Sequence, residues 1–141
     1  MKLEEYQKYF SVALNEFTWL NEISADHIHE DVRYEKITDV TRVDRAENES
    51  FFFKDGKLKV IYISNEALVN NVWNQFKLTN TTPEETVRSR AGKASNQLIF
   101  ATQGLTISIT KDEVHFVEIY HPCTVEEYVE NIYREPAKFI R

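Results

Sequence analysis

The segment FFFKDGKLKVIYIS, residues 51–64, constrains the fold of this chain more than any other. Asp55-Gly56 separates two runs rich in aromatic and β-branched residues. A two-residue Asp-Gly loop tolerates the positive φ angles of a type I′ turn, whose twist matches that of antiparallel strands. The segment therefore predicts a β-hairpin. In its second arm Leu58, Val60 and Tyr62 alternate with Lys57, Lys59, Ile61 and Ile63, so one face starts in water and becomes buried.

Further strands follow from the same kind of pattern. Residues 33–45, RYEKITDVTRVDR, predict an earlier strand. QLIFA, then LTISIT after Gly104, then VHFVEIY after Lys111-Asp112-Glu113, predict three later ones. In LTISIT the apolar Leu105, Ile107 and Ile109 face one side and Thr106, Ser108 and Thr110 the other. That reads as an antiparallel sheet with one wet face.

Helices are expected around this sheet. Leu3, Tyr6, Phe10, Ala13, Phe17 and Leu20 recur at three and four, one apolar stripe over residues 3–21. Leu68, Val72, Trp73 and Phe76 predict a helix over 65–77 capped by Ser64. Thr82, Pro83 and Glu85 have the form of a capping box, and Gly92 suits the left-handed residue after a last turn, so a helix is expected over 83–91. Thr124 and Glu127 form another capping box, before the stripe Val125, Tyr128, Val129 and Ile132; Pro136 stops that helix. The fold class is α+β, an antiparallel sheet with helices packed on one face. With 141 residues the chain reads as a single domain, 1–141. Residues 24–64 and 82–122 are equally long at an offset of 58, which suggests two related αβββ halves.

Composition narrows the function. There are 23 acids against 17 lysines and arginines, a formal net charge of -6. Nucleic acid and anionic membranes would repel such a chain, so neither is expected as a partner. Residues 1–50 carry net -6, residues 51–100 net +3, and residues 101–141 net -3. The basic middle finds internal acidic partners if the fold interleaves these segments. Aromatics are 13% of the residues, enough for a substantial core. No run is apolar enough to span a membrane, the start MKLEEYQKYF has no secretory pattern, and one cysteine permits no internal disulfide. A cytoplasmic location is expected.

Within TPEETVRSRAGKAS, residues 82–95, three cations lie close together: Arg88, Arg90 and Lys93. They are candidate contacts for an anion or a partner. A phosphate loop needs several glycines ahead of a helix, whereas one glycine here follows a helix end, where cations suit the dipole. On that reading Arg90→Ala costs well under about 1 kcal/mol. His27 and His29 in DHIHED are two ligands where zinc takes three or four, and they read as a solvated turn. Cys123 lies between Pro122 and a helix start, but lacks a histidine across a cleft, and reads as a packed thiol. Neither catalytic residue, metal nor cofactor is assigned. The aromatics Phe51, Phe52, Phe53, Tyr62, Phe100, Phe116 and Tyr120 read as core, and the tail AKFIR either as a segment docked on the body or as a short partner-binding tag.

TPEETV, the AGKAS that follows it and the later KDEV turn, within residues 82–122, resemble the repeating module of β-lactamase-inhibitor-protein-like domains and of SmpA/OmlA-type outer-membrane assembly lipoproteins. The chain has no lipidation cysteine near its start and no disulfide, unlike those proteins. The resemblance implies a module whose sheet face grips a protein partner, without a catalytic site. Two functions are therefore carried forward. One is a small acidic non-catalytic protein-binding module of the inhibitor, immunity or adaptor type, with an unidentified protein partner or a second copy of itself. The other is a small-ligand-binding domain or small enzyme with a pocket between the curved sheet and the first helix.

Overall fold

The computed structural model describes residues 1–92, 94–111 and 113–136. Eight strands form one antiparallel sheet: β1 Ile28–Tyr34, β2 Ile37–Ala46, β3 Glu49–Lys54, β4 Lys57–Ile63, β5 Glu85–Arg88, β6 Asn96–Phe100, β7 Leu105–Thr110 and β8 Glu113–Tyr120. Their order is β1-β2-β3-β4-β8-β7-β6-β5. The chain thus builds two four-stranded meanders, 28–63 and 85–120, and joins them through β4 and β8. Helices α1 (Leu3–Gln7) and α2 (Leu14–Leu20) precede the first meander, and α3 (Glu66–Phe76) precedes the second. The halves 24–64 and 82–122 suggested by the sequence each hold four strands rather than three, and the α-helices that precede the two meanders lie outside them. Helix α4 (Val125–Asn131) follows the last strand.

The hairpin at 51–64 forms as its sequence dictates. Asp55 has φ 53° and Gly56 φ 80°, the double left-handed turn that Asp-Gly permits. A bulge opposite Phe52 and Phe53 leaves Lys59 as the extra residue of β4. Leu58 then packs with Ile61 and Ile63 on the helix-covered face, while Val60 turns to the other face. The thirteen residues 33–45 fold as parts of two strands, because Glu35 takes a left-handed turn (φ 50°) and reverses the chain.

The apolar stripe at 3–21 is real but its helix is broken. Val12 and Ala13 are extended, and the Leu14 amide donates to the Gly56 carbonyl (3.0 Å) at the tip of the hairpin. The break brings both Tyr6 and Phe17 into full burial and leaves Ala13 and Leu20 of the same stripe in solvent. Helix α3 starts one residue later than expected, with the Asn65 side chain accepting from the Leu68 amide. The capping box of α4 is present, Thr124 and Glu127 each accepting from the other's amide.

Residues 83–91 are not a helix. That segment offers only Val87 and Ala91 as apolar anchors, too few to dock a short helix that could not persist alone. Thr86 and Val87 are β-branched, and Glu85–Arg88 pair with β6 instead. Glu84 accepts from the Thr102 amide and hydroxyl rather than belonging to a cap.

Helices α1, α2 and α3 pack on one face of the sheet, around Phe51, Phe53, Ile61, Leu105, Val117 and Ile119. Helix α4 covers part of the opposite face with Tyr128 and the following Ile132 and Tyr133, against Phe52, Val60, Ile99 and Tyr120. That cover is why the side of β7 expected to be wet is dry: Thr106 and Ser108 are fully buried. Their hydroxyls bond Tyr120 Oη (2.8 Å) and Ser89 Oγ (2.5 Å).

Gly104, between β6 and β7, has φ 71°, and a Cβ there would lie 2.3 Å from the Tyr120 carbonyl oxygen. Gly56 also has positive φ but open space around it. Gly104→Ala should therefore destabilise by about 2–4 kcal/mol, and Gly56→Ala by about 1 kcal/mol, measured by urea unfolding. Equal losses at the two positions would show that the contact with Tyr120 carries no weight.

Candidate functional site

Glu118 stands in the middle of β8, opposite Tyr62 of β4 at the junction of the two meanders, and is wholly buried. Its carboxylate accepts the hydroxyls of Tyr34, at the end of β1, and Tyr128, on α4. Arg90, two residues beyond β5, adds Nη1 at 3.4 Å. The same guanidinium donates through Nη2 to Tyr34 Oη (2.9 Å) and sets Nε 3.3 Å from Glu35. Its plane is bounded by Phe116, Tyr34 and Tyr62, with ring centroids 4.5, 5.3 and 5.5 Å away. Gln97 on β6 donates to Tyr128 Oη at 3.0 Å.

β1 and β5 are opposite edges of the sheet. Seven interstrand spacings would separate them by roughly 34 Å if the sheet were flat. Arg90 nevertheless reaches Glu35 and Tyr34, so the sheet coils on this face until one end of each edge meets. The segment after α4 fills the seam. The Ile132 carbonyl accepts from the Lys36 amide (3.4 Å) beside β1, and Tyr133 donates to the Arg88 carbonyl (2.7 Å) on β5.

A second cluster of the same chemistry lies on the other face. Arg45 makes a bidentate pair with the buried Glu49, both contacts 2.8 Å, and Tyr6 donates to that carboxylate. Its guanidinium lies 5.0–5.8 Å from the rings of Phe51, Tyr9 and Tyr6. This cluster ties α1 and the turn after it to the first meander.

Both clusters hold shape. Each carboxylate already accepts a tyrosine hydroxyl and faces a guanidinium, so neither is available as a base. The sequence-flagged residues are spread apart. Arg88 lies 3.9 Å from Glu135 and donates to the Pro136 carbonyl (2.8 Å); Arg90 is only 23% exposed and is engaged as above. Lys93 lies outside the described residues, as does the tail at 137–141. The internal partner foreseen in the first fifty residues is Glu35. His29 is on β1, 3.3 Å from Asp44, and His27 is in the turn before it. Among the described residues no three His, Cys, Asp or Glu side chains converge as a metal site. Cys123 is half-buried, its thiol pushed up by burial and by Glu127 and Glu84. His121 packs edge-on against Phe10, and among the described residues no hydrogen bond joins it to Cys123. Thr110 Oγ1 does meet His115 Nε2 at 2.7 Å, but among the described residues no carboxylate within 4 Å orients that ring.

Large apolar side chains reach the outer surface at Leu78 and, as a neighbouring pair, on α2. At the last turn of α2, Trp19 is 76% and Leu20 55% exposed, beside Ile23. Exposed acids flank them at Glu16, one turn earlier on α2, and at Glu22. Comparison with protein families, with curated proteins and with solved structures finds no match to this chain.

Sequence reading missed Glu118, Glu49 and Trp19. Glu118 interrupts the buried run FVEIY and Glu49 opens ESFFF, and an acid inside such a run was the available signal. Trp19 sits one residue off the apolar stripe of α2, where a large aromatic has nothing to bury it.

Removing the Arg90 guanidinium would leave Glu118 buried without its cation. Arg90→Ala should cost about 3 kcal/mol, not the small loss expected of an exposed charge at a helix end. Arg88→Ala should cost less than about 1 kcal/mol. Chemical denaturation of both variants decides between an edge clasp and a surface charge.

The tyrosines give a pH signature. Burial, then the charge of Glu118, holds Tyr34 and Tyr128 well above the ordinary value of 10.0. Folding therefore keeps protons that the unfolded chain releases. Stability is full below pH 10 and falls as pH rises beyond it. Tyrosinate absorbance and loss of helical signal should rise together above pH 10; tyrosinate formation in a still-folded protein, from all seven tyrosines, would contradict the buried network.

Proposed function

We propose that this chain is a non-catalytic protein-binding module of the inhibitor, immunity or adaptor type, acting in the cytoplasm. The observation that carries this reading is the exposure of Trp19 beside Leu20 on a helix otherwise anchored in the core. Tryptophan is the residue most enriched at the energetic centres of protein interfaces, because it buries much apolar area at small entropic cost. The neighbouring Glu16 and Glu22 suit a partner surface with an apolar pocket and a basic rim. The space between the sheet and the first helical segment, where the alternative reading puts its pocket, holds the buried Leu3, Tyr6 and Phe17. Among the described residues no helix is long and apolar enough to cross a membrane.

Affinity capture from native lysate, quantified by mass spectrometry, tests the proposal. A partner should be retained by the natural chain and by Leu78→Ala, which alters another exposed apolar residue. Trp19→Ala should weaken it about 30-fold, the effect of removing a contact worth about 2 kcal/mol. If Trp19→Ala captures the same proteins as the natural chain, the patch is not the interface. Light scattering on the purified chain identifies self-association if the partner is a second copy.

A further inference from the structure

On the face opposite α1–α3, a groove of about 420 Å³ runs between α4 and the turns of the first meander. Lys36, Lys54 and Lys59 line it, over a floor that includes Ile37, Tyr120 and Ile132. Two of the ammonium groups are held in place by main-chain acceptors. Lys36 Nζ donates to the Val129 carbonyl (2.8 Å) and Lys54 Nζ to the Thr38 carbonyl (2.7 Å). Each keeps two N–H groups for another acceptor. Lys59 is the extra residue of the β4 bulge, and bulges re-aim side chains in this way.

The chain has more acids than bases, and Arg42, Arg45, Arg88, Arg90 and Arg134 all lie within 4 Å of a carboxylate. Among the described residues the three groove lysines have no such partner. Among the described residues the one acid in the wall is Glu127, which accepts from the Thr124 amide (3.0 Å) as the cap of α4. Three convergent cations, two of them fixed by carbonyls, surround an apolar floor in a volume ordinary for small-molecule sites.

We infer that this groove binds a small polyanion, a metabolite-sized molecule bearing two or more carboxylate or phosphate groups, through Lys36, Lys54 and Lys59. The floor of Ile37, Tyr120 and Ile132 takes its carbon skeleton. The site is on the face away from Trp19 and does not depend on the protein-binding reading.

Citrate and pyrophosphate are the probes, titrated calorimetrically and by thermal shift at constant ionic strength. At least one should bind saturably at or below millimolar concentration and raise the melting temperature by several degrees, and which one does so separates carboxylate from phosphate chemistry. Lys59→Ala, an exposed side chain outside the core, should weaken binding at least tenfold. Adding Lys54→Ala should abolish it, while the melting temperature without ligand shows that the fold persists. Absence of saturable binding to the natural chain overturns the inference. So does equal binding by Lys59→Ala, or binding of a polyglutamate peptide where neither small anion binds.

Discussion

An arginine beyond one edge strand reaching a glutamate in the middle of the sheet is the contact on which this architecture depends. Eight antiparallel strands could coil to many degrees, and backbone hydrogen bonding alone does not choose among them. Arg90 chooses. It can meet Glu118, Tyr34 and Glu35 together only if β1 and β5 approach on one face. Once they do, the turn before β2 and the end of β5 are close enough for the segment after α4 to bond both. The edges, which would otherwise offer unpaired backbone to other chains, are brought under side chains and the C-terminal segment.

The two arginine–glutamate–tyrosine clusters divide the work between the faces. Arg45 and Glu49 are neighbours across the turn from β2 to β3, and they fasten the helical segment before β1. Arg90 and Glu118 are distant in sequence and fasten the halves to each other. In both, the guanidinium is sandwiched by aromatic rings, which suits a weakly hydrated planar cation and would not suit lysine. Buried ion pairs of this kind add little net stability over a packed apolar core. Their stronger effect is on uniqueness: an alternative register or coil would strand a buried carboxylate without its cation, and that state is costly.

What was legible in the sequence follows from how local its physics is. The Asp55-Gly56 hairpin and the Thr124–Glu127 cap are set by residues within four positions of one another, and both are in the structure. The strands at 96–100, 105–110 and 113–120 were legible for the same reason. The segment 82–91 carried an equally good local cap signal, and tertiary pairing with β6 overrode it because it lacked an apolar face. The break at Val12–Ala13 goes with the Leu14 bond to Gly56, in a hairpin that comes 42 residues later in the chain. Glu118 could be seen as an anomaly in an apolar run, but its partners lie 28, 84 and 10 residues away, and no periodicity links them.

The acidic character of the chain is itself partly architectural. Tight hairpins and bulges require left-handed residues, which glycine usually supplies, yet the chain has only three glycines. Glu22, Asp31, Glu35, Asp39 and Asp55 are among the non-glycine residues that adopt positive φ here, along with Asn48 and Lys111. Aspartate and asparagine tolerate that region through local hydrogen bonding of the side chain; glutamate does so less readily, and Glu35 is held there by Arg90 and Arg134. Four of these five acids lie in the first fifty residues, as does the buried Glu49. The net charge of -6 in that segment is therefore in large part turn chemistry and core pairing. It becomes information about a partner only where acids surround an exposed apolar group without a structural task of their own. Glu16, exposed one turn before Trp19 on α2, is such an acid.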